Sequence, residues 1–336
     1  MSRRSAPLYA AIAIAVLAGS GALAAADIPR IPFQIATGST QGTFFPVGEA
    51  IAGLISHPPG VSRCEVANVC GPAGLIVSAR TSGGTMDNLL SINDGRVESG
   101  LAQSDVIAAA AKGTGPFKVS GKQTHLRVIA SLFSEDVHLV VRAGAKIKSV
   151  SDLRGKRVSL GQAGSGVGFT AREILSAYRV PESRLKIVAL DPQAAIAAMK
   201  QGQLDAFFAV GGVPIRGVGD LLTAHSAVLV PIAGPVRDRL LKREPALEAA
   251  TVTYPGQEPV ATVSTRALWV VRDTVPEGLV YGITRALFSP ANRDALTASH
   301  PSAREIALNG AALMPPAALH PGAVRFYAEA GRAAQR

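Results

Sequence analysis

Aromatic side chains are scarce in this chain. They make up 5% of its 336 residues, with a single tryptophan. Single-stranded nucleic acid is held on aromatic faces in series, so no nucleic-acid partner is expected. Histidine is thin as well. His57, His125, His138, His225, His300 and His320 are not spaced with one another, or with carboxylates, as metal ligands would be. No metal is expected, and each histidine is read as structural or exposed. His138 is the one nearest a candidate junction between domains. Long charge runs are missing too: the basic residues are scattered, with nothing longer than a pair such as Lys242-Arg243. The formal charge of +10 therefore reads as solubility plus a mild pull on anionic solutes.

Motifs of catalysis fail residue by residue. Gly164-Ser165-Gly166-Val167-Gly168 follows an apolar run and opens a helix-like stretch, but Phe169 stands where a dinucleotide fingerprint needs its third glycine. Ala163, two before Ser165, breaks the nucleophile-elbow pattern. Gly155-Lys156-Arg157 lacks the hydroxyl residue and the upstream glycine spacing of a P-loop. With no nucleophile–base pair and no cofactor motif, an enzyme is not expected and no cofactor is assigned.

What is present begins with an export signal. Arg3 and Arg4 precede the apolar run Leu8 to Leu17, Gly19-Ser20-Gly21 breaks it, and small residues up to Ala26 offer a cleavage site. The apolar run is short for a bilayer span. Residues 1–26 are read as a cleaved leader and the mature chain as periplasmic. The leader takes two arginines and no acid, leaving +8. Only two cysteines occur, Cys64 and Cys70. In an exported chain so close a pair suggests a disulfide; a metal site without further nearby ligands, or two free thiols, are the alternatives.

Apolar runs alternate with helix-like stretches, which argues for an α/β fold. Strands are expected at 33–36, 75–79, 99–102, 126–132, 137–141, 158–160, 186–190, 206–210 and 267–271. Helices are expected at 45–54, 86–93, 105–112, 169–178, 193–201, 276–288 and within the tail 317–334. Phe133-Ser134-Glu135-Asp136 reads as a crossing between two domains, and the extended stretch 251–264 as the return. The expected lobes are 27–135 with 265–336, and 136–264.

Five Ser/Thr/Gly-rich loops then stand out: Thr37 to Thr43, Thr81 to Thr85, Gln103-Ser104-Asp105, Gly161 to Gly166 and Gly211 to Pro214. Each follows a strand-like run. Such loops present backbone N–H groups where a small anion can sit, and open α/β sheets bind ligands beyond the carboxyl ends of their strands. A single loop of this kind is an ordinary helix cap; several at one interdomain edge point to a ligand. Phe44 and Phe45 are expected to wall the pocket. Arg80 is a candidate for a ligand carboxylate or for a structural pair, and Asp105 reads first as a helix cap.

In their order these loops resemble those of the TAXI solute receptors (TRAP-associated extracytoplasmic immunogenic proteins). The matching segments include IATGSTQGTFFPVGEAIA, SGGTMDNL, GLAQSDVIAAAAKGTGPF, the long LRVIASLFSEDVHLVVRAGAKIKSVSDLRGKRVSLGQAGSGVGFTAREIL, AIAAMKQGQLDAFFAVGGVP and LHPGAVRFY. The paired-cysteine insert CEVANVCGPAGLI is similar to one in a subset of that family. The resemblance implies a type II periplasmic binding fold, a monomer, a small carboxylate or amino acid as ligand, and a TRAP-type membrane permease as partner. Carried over by position, the ligand residues would be Thr40, Gly42, Thr43, Phe44, Ser82, Gly84, Gln103 and Ser104 from one lobe, and Ser165, Gly166 and Gly212 from the other. Val167-Gly168 departs from the Thr-Glu frequent there in the family, and Phe44-Phe45 from the commoner tyrosines, so the family's glutamate preference does not transfer directly. The alternative reading is a periplasmic sensor presenting the same fold to a membrane kinase.

Overall fold

The computed structural model describes residues 29–311 and 317–334; the leader expected at 1–26 lies outside them. The first lobe opens with β1 (Ile31–Ala36), α1 (Phe44–Ile55), β2 (Leu75–Arg80), α2 (Thr85–Asn93), β3 (Ser99–Gln103) and α3 (Ser104–Lys112). The long β4 (Leu126–Arg142) leads into the second, which holds β5 (Arg157–Ser159), α4 (Val167–Ala177), β6 (Lys186–Val188), α5 (Pro192–Lys200), β7 (Ala206–Gly211), α6 (Arg216–Thr223), β8 (Ala227–Leu229), α7 (Gly234–Arg243) and β9 (Glu248–Val252). β10 (Val260–Arg272) returns to the first lobe, which closes with α8 (Glu277–Leu287), α9 (Arg293–Ser299), α10 (Leu308–Ala311) and α11 (Pro321–Ala334).

Local chemistry accounts for many of these boundaries. α3 stops at Gly113, whose φ of 66° places it in the left-handed region that glycine adopts without steric cost. α5 starts where the Asp191 carboxylate accepts from Ala194 N–H at 2.9 Å and Pro192 takes the first helical position. Before β5, Ser149 and Asp152 cap a short 3-10 turn reciprocally.

Two lobes share one continuous sheet. In the first the strand order is β2-β1-β3-β10-β4, and in the second β6-β5-β7-β4-β8. Both have a strand arriving from the other lobe in the fourth place. β4 pairs with β10 from Leu126 to Asp136 and with β7 from Asp136 to Val141. β10 pairs with β9 up to Ser264 and with β3 from Ala267 onward. The two connections between lobes are therefore antiparallel neighbours that change partners at Glu135–Asp136 and Ser264–Thr265. This is the two-lobed α/β arrangement that the sequence implies.

Alternation along the strands sends side chains to both faces, so each lobe has two cores. In the first lobe Phe33, Ile35, Phe133 and Trp269 pack against α1 and α8 on one face, while Ala102, Val128 and Val270 meet α2 and α3 on the other. In the second, Leu139, Val158 and Phe208 face α4, while Val140 and Phe207 face α5 and α6.

Two sequence expectations are corrected here. The separate strands at 126–132 and 137–141 are one strand, β4, and the extended stretch 251–264 and the strand at 267–271 belong to the β9–β10 hairpin. Ser134-Glu135-Asp136 looks like a loop because it interrupts an apolar run. In the fold its backbone stays paired to Arg266, Thr265 and Ser264, and of its side chains that of Glu135 lines the cavity between the lobes. Between 216 and 250 the sequence marks no element. Of α7 only Leu240 is buried, and β9 is mostly exposed, so neither carries a strong apolar period.

Cys64 and Cys70 are disulfide-bonded, with Cα atoms 5.2 Å apart. The insert they close is also anchored by Arg63, which donates to the carbonyls of Gly53 and Leu54, and by Asn292, which donates to Val69 O at 2.7 Å. Closing so short a loop removes little entropy from the unfolded chain. The double variant Cys64→Ser with Cys70→Ser is expected to lose about 1–2 kcal/mol of stability in denaturant titration and to keep its ligand-binding behaviour.

Candidate functional site

The carboxyl ends of six strands meet between the lobes. β1 feeds Gly38 to Phe44, β2 feeds Gly83 to Thr85, and β3 ends on Gln103. From the other lobe, β5 feeds Gly161 to Val167, β6 leads to Leu190 and Pro192, and β7 contributes Phe208 to Val210. Together with Glu135, Ala195 and Ile215, residues from these segments line a cavity of about 100 Å³, room for a small solute. The starts of α1, α2, α4 and α5 all reach it, and Thr43, Gly84 and Gly166, which precede the first three, make no side-chain cap. Helix starts of this kind carry partial positive charge.

The lobes touch around the cavity. Gly164 O accepts from Met86 N–H at 2.9 Å and from Asp87 N–H at 3.3 Å. Gln162 Nε2 donates to Gly83 O at 3.0 Å. Gly212 N–H donates to Thr43 Oγ1 at 3.0 Å, and Thr170 Oγ1 donates to Asp105 Oδ2 at 2.6 Å. Gly84, with φ of 115°, brings its backbone so close that an added Cβ would sit 3.3 Å from Ser165 Cα. The structure is thus a closed form in which both lobes wall one cavity.

Of the sequence candidates, Gly42, Thr43, Phe44, Gly84, Gln103, Ser165 and Gly166 line the cavity. Gln103 is held by Thr85, whose hydroxyl donates to its Oε1 at 3.3 Å. The other four sit nearby with different work. Thr40 is exposed on the loop before α1. Ser82 donates to Thr37 O and accepts from Gly84 N–H, shaping its own turn. Ser104 bonds to Thr265 and to Ala246 O, fastening α3 to β10. Gly212 serves the seam through Thr43. Arg80 donates to Gln34 Oε1 on the exposed sheet edge, away from the cavity. Asp105 is buried and accepts from the hydroxyls of Thr170 and Thr265; burial pushes its pKa up to about 6 against the pull of those bonds.

Three kinds of lining residue were not singled out from sequence. Gln162 and Thr85 lie in loops already marked, but composition does not say which residue of a turn points inward. Leu190, Phe208 and Ile215 look like ordinary core. Glu135 is the third. It is 3% exposed, it lines the cavity, and its Oε2 has no hydrogen-bond partner among the described residues. Burial, and then the negative charges of Asp105 and Asp136, hold its carboxyl well above the usual carboxylate range. The acidic residue in the middle of an apolar strand was the available signal.

His138 is part of the framework. Its Nδ1–H donates to Asp136 O at 2.9 Å, and its Nε2 accepts from Tyr254 Oη at 3.1 Å; Tyr254 in turn accepts from Ile215 N–H. Burial presses its pKa down to about 4, so the ring is neutral at physiological pH. Tyr254→Phe is expected to cost about 1 kcal/mol in thermal unfolding, by orphaning one donor and one acceptor.

Residues 35–331 match the family model described as the NMT1-like family, and the chain belongs to that family. Among solved structures it is similar to a protein from Bordetella bronchiseptica RB50, at 15% identity and a TM-score of 0.52, covering 90% of each chain. Further similarities are to the alkanesulfonate-binding protein SsuA from Xanthomonas axonopodis pv. citri bound to MOPS, at 15% identity and a TM-score of 0.46 over 89% of this chain and 84% of that one, and to the periplasmic aliphatic sulphonate binding protein SsuA from Escherichia coli, at 14% identity and a TM-score of 0.42 over 90% and 83%. The likeness to the Bordetella bronchiseptica protein concerns the fold alone. No helix among the described residues is long and apolar enough to cross a membrane, and none of their acidic, histidine or cysteine side chains cluster as a metal site.

Proposed function

We propose that the chain is a periplasmic solute-binding receptor that captures a small organic acid or amino acid between its lobes and hands it to a membrane permease of the TRAP type. One observation carries the reading: a single small cavity is walled by strand ends from both lobes. Among its described lining residues Glu135 is the one ionisable side chain, which suits holding a solute better than acid–base chemistry. The lobes are 27–135 with 265–336, and 136–264, and they swing where β4 and β10 change partners. Gly42, Thr43, Phe44, Gly84, Gln103, Ser165 and Gly166 touch the solute. Closure is driven by contacts that exist only when both lobes reach it. The TRAP assignment rests on the TAXI-like loops, and export on the leader pattern.

Native mass spectrometry of the full chain purified from cells tests the reading. A non-covalent small-molecule adduct released on denaturation is expected. A chain that carries no solute and is stabilised by no member of a carboxylate and amino-acid panel would contradict it.

A further inference from the structure

A buried carboxylate without a partner is costly, and natural folds rarely keep one without use. Glu135 stands at the point where β4 passes from one lobe to the other, and its unpartnered Oε2 belongs to a side chain lining the cavity. It takes part in no ion pair among the described residues, and the charges acting on it, from Asp105 and Asp136, are both negative. None of the described residues supplies the cation it lacks. Asp105, by contrast, is already engaged by two hydroxyls.

The rest of the cavity has the opposite character. No lysine or arginine lines it among the described residues. The starts of α1 and α4, without side-chain caps, supply its positive potential. A solute with a carboxylate and an ammonium group meets both features. A dicarboxylate would bring a second acid group into a chamber that already has Glu135 and no lysine or arginine among its described lining residues.

We propose that Glu135 Oε2 accepts an N–H from a protonated amine of the bound solute, so that the site takes small amino acids in preference to the same acids without the amine. This rests on the receptor reading above and narrows its ligand class.

The test compares matched pairs on the full wild-type chain by calorimetry and thermal shift: glycine with acetate, L-alanine with propionate, L-glutamate with glutarate. At least one amino acid is expected to bind, with its deaminated partner weaker by about 30-fold or more. Glu135→Gln keeps the shape and removes the charge; it is expected to weaken the amino acid by a similar factor and so close the gap. Deaminated acids that bind the wild type as tightly as their partners would overturn the proposal, as would a well-folded Glu135→Gln that binds the amino acid unchanged. The pair comparison needs no variant, so it holds even if Glu135→Gln folds poorly. If no panel member binds, the solute carried from cells decides: one with a basic nitrogen supports the proposal, and one without it overturns it. Absence of any solute and any binding sinks the receptor reading itself.

Discussion

Replacing Gly166 with leucine is expected to weaken solute binding by about 100-fold or more, while the ligand-free protein melts close to wild type. Gly166 has φ of −71° and ψ of −23°, a helical conformation open to any residue. Its backbone therefore does not require glycine. The closed form does: a Cβ there would overlap the Gln103 side-chain oxygen and lie 3.1 Å from Thr85 Cβ, both in the other lobe. Gln103 could turn away from one methyl group, but a leucine must also displace Thr85. The strain falls on the contact between lobes, so the variant folds and stays open. Calorimetry on the wild type and Gly166→Leu, with unfolding curves for both, separates the two effects. Binding that survives the leucine would mean that closure at this seam is not needed for capture.

Glu135→Gln carries the second large effect, in the opposite direction for stability. In the ligand-free protein the variant is expected to gain about 3 kcal/mol at pH 8, because it removes a buried acid that no cation among the described residues pairs when it ionises. The sign with pH follows from the raised pKa. An acid whose pKa is higher in the folded state contributes stability that is fully present below its unfolded pKa and is lost as pH rises through the folded value. The wild type therefore falls behind the variant as pH rises, and the two converge towards pH 4, where both side chains are neutral. Differential scanning calorimetry of the two chains between pH 4 and 8 reads this as a gap in Tm that opens with pH. A gap that does not change with pH would mean that Glu135 is compensated in the folded protein. A residue that costs stability when the site is empty and lends specificity when it is filled is a common trade in binding sites.

Much of the fold was legible because strand and helix periods alternate clearly in both lobes, and turn residues mark their ends. The loops that reach the cavity were legible because Ser, Thr and Gly after a strand have few other uses in series. Within a loop, the facing residue was not legible. Ser82 spends its hydroxyl on its own turn and Ser104 on β10, whereas Gly83 and Gln162, two residues without a marked role in sequence, meet across the seam. The crossing was harder still. A polar trio inside an apolar run has the composition of a loop, and only the pairing of Ser134 and Glu135 with β10 shows why the strand continues. Ser134 is held by Glu305, which accepts from both its N–H and its hydroxyl, a contact 171 residues away that local pattern cannot reveal. For the same reason Glu135 read as part of a connection when it is a wall of the site.

Small-angle scattering tests the central claim, that two lobes close on a small solute, most directly. The protein is purified with whatever solute it carries, stripped by partial unfolding and refolded, and then resupplied with the released solute. The account predicts a larger radius of gyration for the stripped chain, a return to the compact value on resupply, and no such return for Gly166→Leu. Identical radii for the stripped and solute-loaded wild type, with binding confirmed by calorimetry, would contradict it.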